Sequence, residues 1–174
     1  MIPDKHHSPM LSIPVIIGIL YAWAQTVVTG ALLFDTFVLY PNVFADVPKS
    51  LSTSMEFLSR ASPGSFLPGL GGFTLVTGLV TLWIWRRHRR VFLYFVAGFL
   101  LLVALDFAAS VLYFWPRNTI MFTEGLKVHS AEKLLETSRQ FRSGHWVRLA
   151  GSLMASVCAM LGLVAAVRQS SSKL

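Results

Sequence analysis

The sequence predicts an all-α fold, a four-transmembrane-helix bundle with an amphipathic helix in each of its two outer loops. Three observations point there. Four long apolar stretches run through the chain, each about the ~20 residues a helix needs to cross a hydrocarbon core at ~1.5 Å rise per residue. A pentapeptide, Arg86-Arg87-His88-Arg89-Arg90, splits them two and two and is too short to be more than a tight turn between spans. The composition is 54% hydrophobic and only 13% charged, where a soluble domain carries ~25% charge; the mean hydropathy is +0.60. All 174 residues are read as a single integral membrane domain whose solvent is largely the lipid bilayer.

Span one is expected at residues 11–40. Pro14 suits a first helical turn, where its missing N–H costs nothing, and Pro41 closes the span. The run is too long for the apolar core of a signal peptide and no A-x-A-like site follows it, so it is read as a retained span. Span two is expected at 66–85. It opens with Gly69, Gly71 and Gly72 and carries Gly78 further in, small residues that allow close helix approach. Span three is expected at 91–115, stopped by Pro116, and span four at 146–167, before a Ser-rich tail.

The two longer connections read as short helices. In residues 41–65, Thr53-x-x-Glu56 resembles a capping box, and Leu51, Met55 and Leu58 repeat at helical spacing, with Ser62-Pro63-Gly64 as the stop. In residues 116–145, Ser130 suits an N-cap, and Leu134, Phe141 and His145 share one face. Glu136 is placed to meet Arg139 or Gln140, and this helix is expected to run into span four with an interruption only at Ser143-Gly144.

Short loops rich in Lys and Arg stay cytoplasmic, so the arginine turn and both termini are expected inside a cell membrane. The density of positive charge at the span ends decides this, because the totals on the two sides, seven and eight, do not. The net charge of +7 is concentrated in the turn and near span ends, which encodes orientation and headgroup contact and argues against a nucleic-acid partner. The one cysteine, Cys158, reads as a small buried hydrophobe. Spans one and three echo each other, Asp35 before Tyr40-Pro41-Asn42 and Asp106 before Pro116-Arg117-Asn118. The echo is either a repeat of two helical hairpins or the common vocabulary of span ends.

Polar residues inside spans are costly and tend to face the bundle interior. Here they form stripes: Asp106, Ser110, Tyr113 and Arg117 on span three; His145, Arg148, Ser152 and Ser156 on span four; Gln25, Thr29 and Thr36 on span one with Asp35 to the side; Gly71, Thr74, Gly78 and Thr81 on span two. The charged groups converge on the outer half, with His145, Asn118 and Arg117 at its rim, and Arg148 is expected to pair with Asp35 or Asp106. Three readings stay open: ion pairs that lock helices, a small-molecule pocket on the outer side, or an ion or proton path. A metal site is not expected, since His145 has no partner histidine at i+4 and His6-His7 sits near the chain start. No cofactor fingerprint is present, and haem between two histidines is excluded because no histidine lies deep in a predicted span.

Trp115-Pro116-Arg117-Asn118 at the end of span three, followed after about 25 residues by His145-Trp146-x-Arg148, resembles the anthrone oxygenase-like family of four-helix membrane proteins. The family's second loop often carries a Trp four residues before its His or Asn; here Phe141 stands there. The resemblance implies an oxidoreductase, a cofactor-independent oxygenase that binds a flat, hydrophobic aromatic ligand of the phenol type, removes an acidic proton and lets the anion react with dioxygen. His145 and Asp106 are the candidate bases. Arg148 and Asn118 are placed to stabilise an oxyanion, Arg117, Tyr113 and Asp35 to bind substrate, and Trp115, Trp146 and Phe141 to stack on a ring or anchor the interface. The competing reading is a non-catalytic accessory subunit with a membrane protein partner, or a homo-oligomer, whose polar stripes only lock helices.

Overall fold

The computed structural model describes residues 12–172. It is all-α: four long helices and one short one, with no strand among the described residues. The long ones are α1 (Ile13–Val43), α3 (Pro63–Trp85), α4 (Arg89–Lys127) and α5 (Ala131–Ser171), each long and apolar enough to cross a membrane. The short α2 (Lys49–Phe57) lies in the first long connection. The chain is thus built as a multi-pass membrane protein. Leu11, the His6-His7 pair, Lys5 and Lys173 lie outside the described residues.

The expected boundaries shift for identifiable reasons. Neither Pro41 nor Pro116 ends its helix. Each lies just beyond a π-helical stretch, Asp35–Leu39 and Ser110–Phe114 respectively, and the helix continues past it. A proline lacks an N–H and crowds the carbonyl four residues back, and a widened turn relieves both problems. Ser62-Pro63-Gly64 does not stop α2, which ends at Phe57. It starts α3 instead: Pro63 takes the first helical position and the Ser62 N–H donates to Ser65 Oγ at 3.1 Å. Thr53 and Glu56 fall inside α2, whose cap is Pro48, so they form no capping box. Ser130 does cap α5, accepting from the Lys133 N–H, and α5 passes Ser143 and Gly144 without interruption. Gln140 Nε2 donates to Glu136 Oε1 at 3.0 Å.

α5 packs along both α1 and α4, α1 packs along α3, and α3 along α4, which closes the bundle. The close-approach glycines lie chiefly on α4 and α5, not at the start of α3. A side chain at Gly144 would collide with Tyr113, at Gly151 with Leu105 and at Gly162 with Phe95, while one at Gly98 would meet the Ala155 carbonyl. Gly69, Gly71 and Gly72 face open space, and within α3 only Gly78 is tight, against Phe99 and Tyr21. Absent Cβ atoms at the α4–α5 seam let the two backbones approach.

Of three apolar clusters among the described residues, a small one joins Val28 and Leu32 to Leu149, and the two larger divide the interior. One, near the arginine turn, holds Tyr21, Trp85, Phe95 and Leu102. The other, at the loop end, holds Phe44, Leu51, Phe114, Met121, Leu134 and Phe141. Between them lies a layer of buried polar groups: Gln25, Thr29, Asp35, Asp106, His145 and Ser152. Forty-one helical residues reach ~60 Å, about twice a hydrocarbon core. Counting ~20 residues back from Arg168 brings a ~30 Å core to Arg148. The polar layer thus sits near the far boundary of the core, and the second apolar cluster lies beyond it.

Candidate functional site

The polar layer is assembled from three helices. On α1, Gln25 and Thr29 point at α5, where Gln25 Nε2 donates to Ser152 Oγ at 3.3 Å. Thr29 Oγ1 lies 3.0 Å from Ser152 Oγ and 2.7 Å from Ser156 Oγ. These are the sequence stripes of spans one and four meeting face to face. Asp106 comes from α4, inside the π stretch Leu102–Ala108. Arg148 Nε stands 3.5 Å from Asp106 Oδ1, and their side chains are only 13% and 6% exposed. Of the two carboxylates offered to Arg148, Asp106 makes the pair. Asp35, also in a π stretch and also buried, has no ion pair among the described residues.

This pair is loose for a buried one. Both Asp106 carboxylate oxygens, Arg148 Nε and Gln25 Oε1 are buried without a well-formed hydrogen bond among the described residues, though Gln25 and Ser152 flank the carboxylate. Buried polar groups are rarely left so, because each costs about 1–3 kcal/mol. The Arg148 guanidinium lies 5.1 Å from the Phe114 ring centroid, so its loop-side face is covered by an aromatic ring.

His145 completes the layer. It is 1% exposed, inside the bundle and not at a rim, because the aromatic cluster at the loop end closes over it. Its Nε2–H donates to the Leu32 carbonyl at 3.4 Å, which leaves the Nδ1 lone pair buried and without a partner among the described residues. Phe141 stacks parallel to the ring at 6.2 Å, and Tyr40 meets it edge-on at 4.7 Å.

The remaining candidates stand elsewhere. Tyr113 and Arg117 form a second group against Gln140: Tyr113 O–H donates to the Gln140 carbonyl at 2.7 Å, and Arg117 Nη2 donates to Gln140 Oε1 at 3.1 Å. The Arg117 guanidinium lies over the Tyr113 ring at 3.5 Å. Gln140 and Arg148 are eight residues apart on α5, ~12 Å along the axis, so this group is separate from Asp106. Asn118 lines a cavity of about 360 Å³ at the loop end, with Tyr40, Val43, Met55, Leu58 and Phe122. Trp115 and Trp146 are each 53% exposed and face out of the bundle, the position of interface anchors.

Tyr40 and Phe114 are site residues that sequence periodicity did not select. Tyr40 is shared: it lines the cavity and also packs on His145. At 3.6 residues per turn it falls ~140° from Asp35 and belongs to another face. The π stretch puts the Tyr40 N–H on the Asp35 carbonyl, five residues back, and so nearly aligns the two. The signal available in the sequence was Pro41 itself, a proline inside a long apolar run.

Among the described residues no three His, Cys, Asp or Glu side chains come together as a metal ion would require. No protein-family model, no curated protein and no solved structure matches the chain.

Proposed function

We propose that this membrane protein binds a small, flat, largely apolar molecule at the loop end of its bundle and uses the buried layer behind it for acid–base chemistry. One observation carries this reading. Tyr40 lines a largely apolar 360 Å³ cavity and packs on His145, whose Nδ1 lone pair is buried without a partner among the described residues. A cavity of this size suits a molecule of a few fused rings. Arg148 and Asp106 supply a nearby charge pair with unmet hydrogen bonds. A rotation of the Tyr40 ring would join cavity and base.

The chemistry that fits is oxygenation of an anthrone-like phenol without a cofactor. His145 takes a proton from the acidic ring methylene, and Arg148 stabilises the enolate oxygen that results. The carbanion form adds to dioxygen at carbon. The peroxide formed regains the proton, and loss of water leaves a ketone. The carbon is oxidised, one oxygen atom is retained and the other departs as water. The measurement is oxygen consumption by the purified protein over a panel of anthrones and related hydroxyaromatics. Turnover above buffer with stoichiometric quinone supports the reading, and none on the whole panel removes it.

A second reading has its own observation. None of Asp106, His145 and Arg148 lines the cavity. A buried ion pair between α4 and α5 is what a helix lock looks like, and on that reading the chain is a non-catalytic accessory subunit with a membrane protein partner or a second copy of itself. In either case the arginine turn and both termini are placed on the cytoplasmic side of the cell membrane by the positive-inside rule. A cysteine introduced at His88 in a Cys158→Ser background tests this. Labelling by an impermeant reagent from outside intact cells would reverse the orientation.

A further inference from the structure

At the opposite end of the bundle a second cavity, of about 220 Å³, opens between the start of α4 and the end of α5. Its walls are of two kinds. Arg90 and Arg168, one from each helix, stand at its mouth with Tyr94, Gln169 and Ser172, while Val91, Leu161, Val164 and Ala165 form an apolar trough. Both arginines are exposed and neither is in an ion pair among the described residues. Among the described residues no carboxylate lines the cavity. The first turn of α4 also begins there, at Arg89, and brings the positive end of its dipole to the same place.

We infer that this cleft is a binding site for an anionic phospholipid, its phosphate held between Arg90 and Arg168 and one acyl chain laid along the trough between α4 and α5. The placement follows from the helices. Arg90 and Arg168 mark the ends of two apolar spans, which is the depth of lipid phosphates. Guanidinium groups grip phosphate oxygens in pairs through charge-assisted hydrogen bonds. Tyr94, one turn above Arg90, has the amphipathic side chain favoured at that level. A free phosphate would use the arginines but leave the trough empty, so the lining favours a lipid. This site is independent of the loop-end cavity and of any reaction there.

The test uses the full chain, purified in a non-ionic detergent. Native mass spectrometry should find one phosphatidylglycerol retained per protein at collision energies that strip phosphatidylcholine. Added phosphatidylglycerol should raise the melting temperature, and phosphatidylcholine or inorganic phosphate at equal concentration should not. The double variant R90Q/R168Q should bind phosphatidylglycerol about thirtyfold more weakly, from ~1 kcal/mol per basic residue at ~1.4 kcal/mol per decade. R86Q/R87Q removes the same charge at the same end but outside the cleft, and should bind as the parent does. Equal losses in the two double variants would reduce the effect to general electrostatics and overturn the site. An equal shift with inorganic phosphate would overturn the lipid. Equal retention of both lipids by the unaltered protein would overturn the proposal without recourse to any variant.

Discussion

Tyr40 stands edge-on to His145, ring centroids 4.7 Å apart and planes at 89°, and is the side chain shared between the imidazole and the loop-end cavity. Phe44 and Phe141 hold Tyr40 from its other sides, at 5.5 and 5.2 Å. The imidazole is therefore separated from the cavity by one aromatic ring, packed against the apolar cluster at the loop end.

That arrangement predicts the reactivity of His145. In the unaltered protein, modification by diethylpyrocarbonate should be slow at His145, which is buried, relative to His129, whose side chain is 24% exposed. Tyr40→Ala should raise the His145 rate by about tenfold or more relative to His129, by removing a ring that buries ~150 Å² or more. Peptide mass spectrometry over a time course reads both sites at once. If His145 is modified as fast as His129 before any substitution, the ring is not closing the site.

The ion pair predicts a stability pattern. Arg148→Ala strands the Asp106 carboxylate in the interior and should destabilise by about 3–5 kcal/mol, whereas Arg168→Ala at the far end of α5 should change little. Combining Arg148→Met with Asp106→Asn should recover a good part of the loss, because no unpaired charge is then left buried. Thermal unfolding in detergent gives all the values needed. Equal stability of the two alanine variants would mean that Arg148 reaches water.

The seam between α4 and α5 gives a sharper contrast. Gly151→Ala puts a methyl group onto Leu105 and should cost about 1–3 kcal/mol through forced repacking. Gly72→Ala meets nothing and should be neutral, or stabilise by up to ~1 kcal/mol through helix propensity. The same substitution in two spans thus has opposite expected signs. A fold in which the α3 glycines packed against a neighbour would reverse them.

Much of this was legible in the sequence, and the reason is chemical. Spans announce themselves because lipid tolerates few alternatives to a long apolar helix. Periodicity put Gln25 with Thr29, and Ser152 with Ser156, on one face each, since α1 and α5 are regular where those residues lie; that these two faces meet each other is a fact of packing. Legibility failed where regularity failed. Asp106 meets Arg148 as expected, but the span-three stripe divides, with Tyr113 and Arg117 turned to Gln140, because Asp106 and Tyr113 lie within π stretches where a 3.6-residue wheel loses phase. His145 lies deeper than a span ending at Pro116 implies, because α4 continues to Lys127 and supplies Met121 to the cluster above the histidine. Of the span-two glycines only Gly78 makes the expected close approach, and the other tight positions lie on α4 and α5, since a glycine's neighbour is a property of packing that no single segment records.

The last prediction separates the two readings of the polar layer. His145→Gln keeps most of the side chain's shape and its capacity to donate to Leu32, but it has no basic ring nitrogen. Asp106→Asn keeps shape and leaves Arg148 without its counter-charge. If the layer performs acid–base chemistry, His145→Gln should lower oxygen-dependent turnover of an anthrone-like phenol by ~10²-fold or more, with the protein still folded in membranes. Asp106→Asn should lower turnover as well, with a further loss of thermal stability from the broken pair. If the layer only locks helices, the pattern changes: Asp106→Asn alters stability alone, and His145→Gln alters neither stability nor turnover by more than a small amount. Far-ultraviolet circular dichroism and melting temperature establish folding for each variant, and oxygen uptake is then compared at equal folded protein. Wild-type turnover with both variants unimpaired would retain an enzyme and remove these two residues from its machinery.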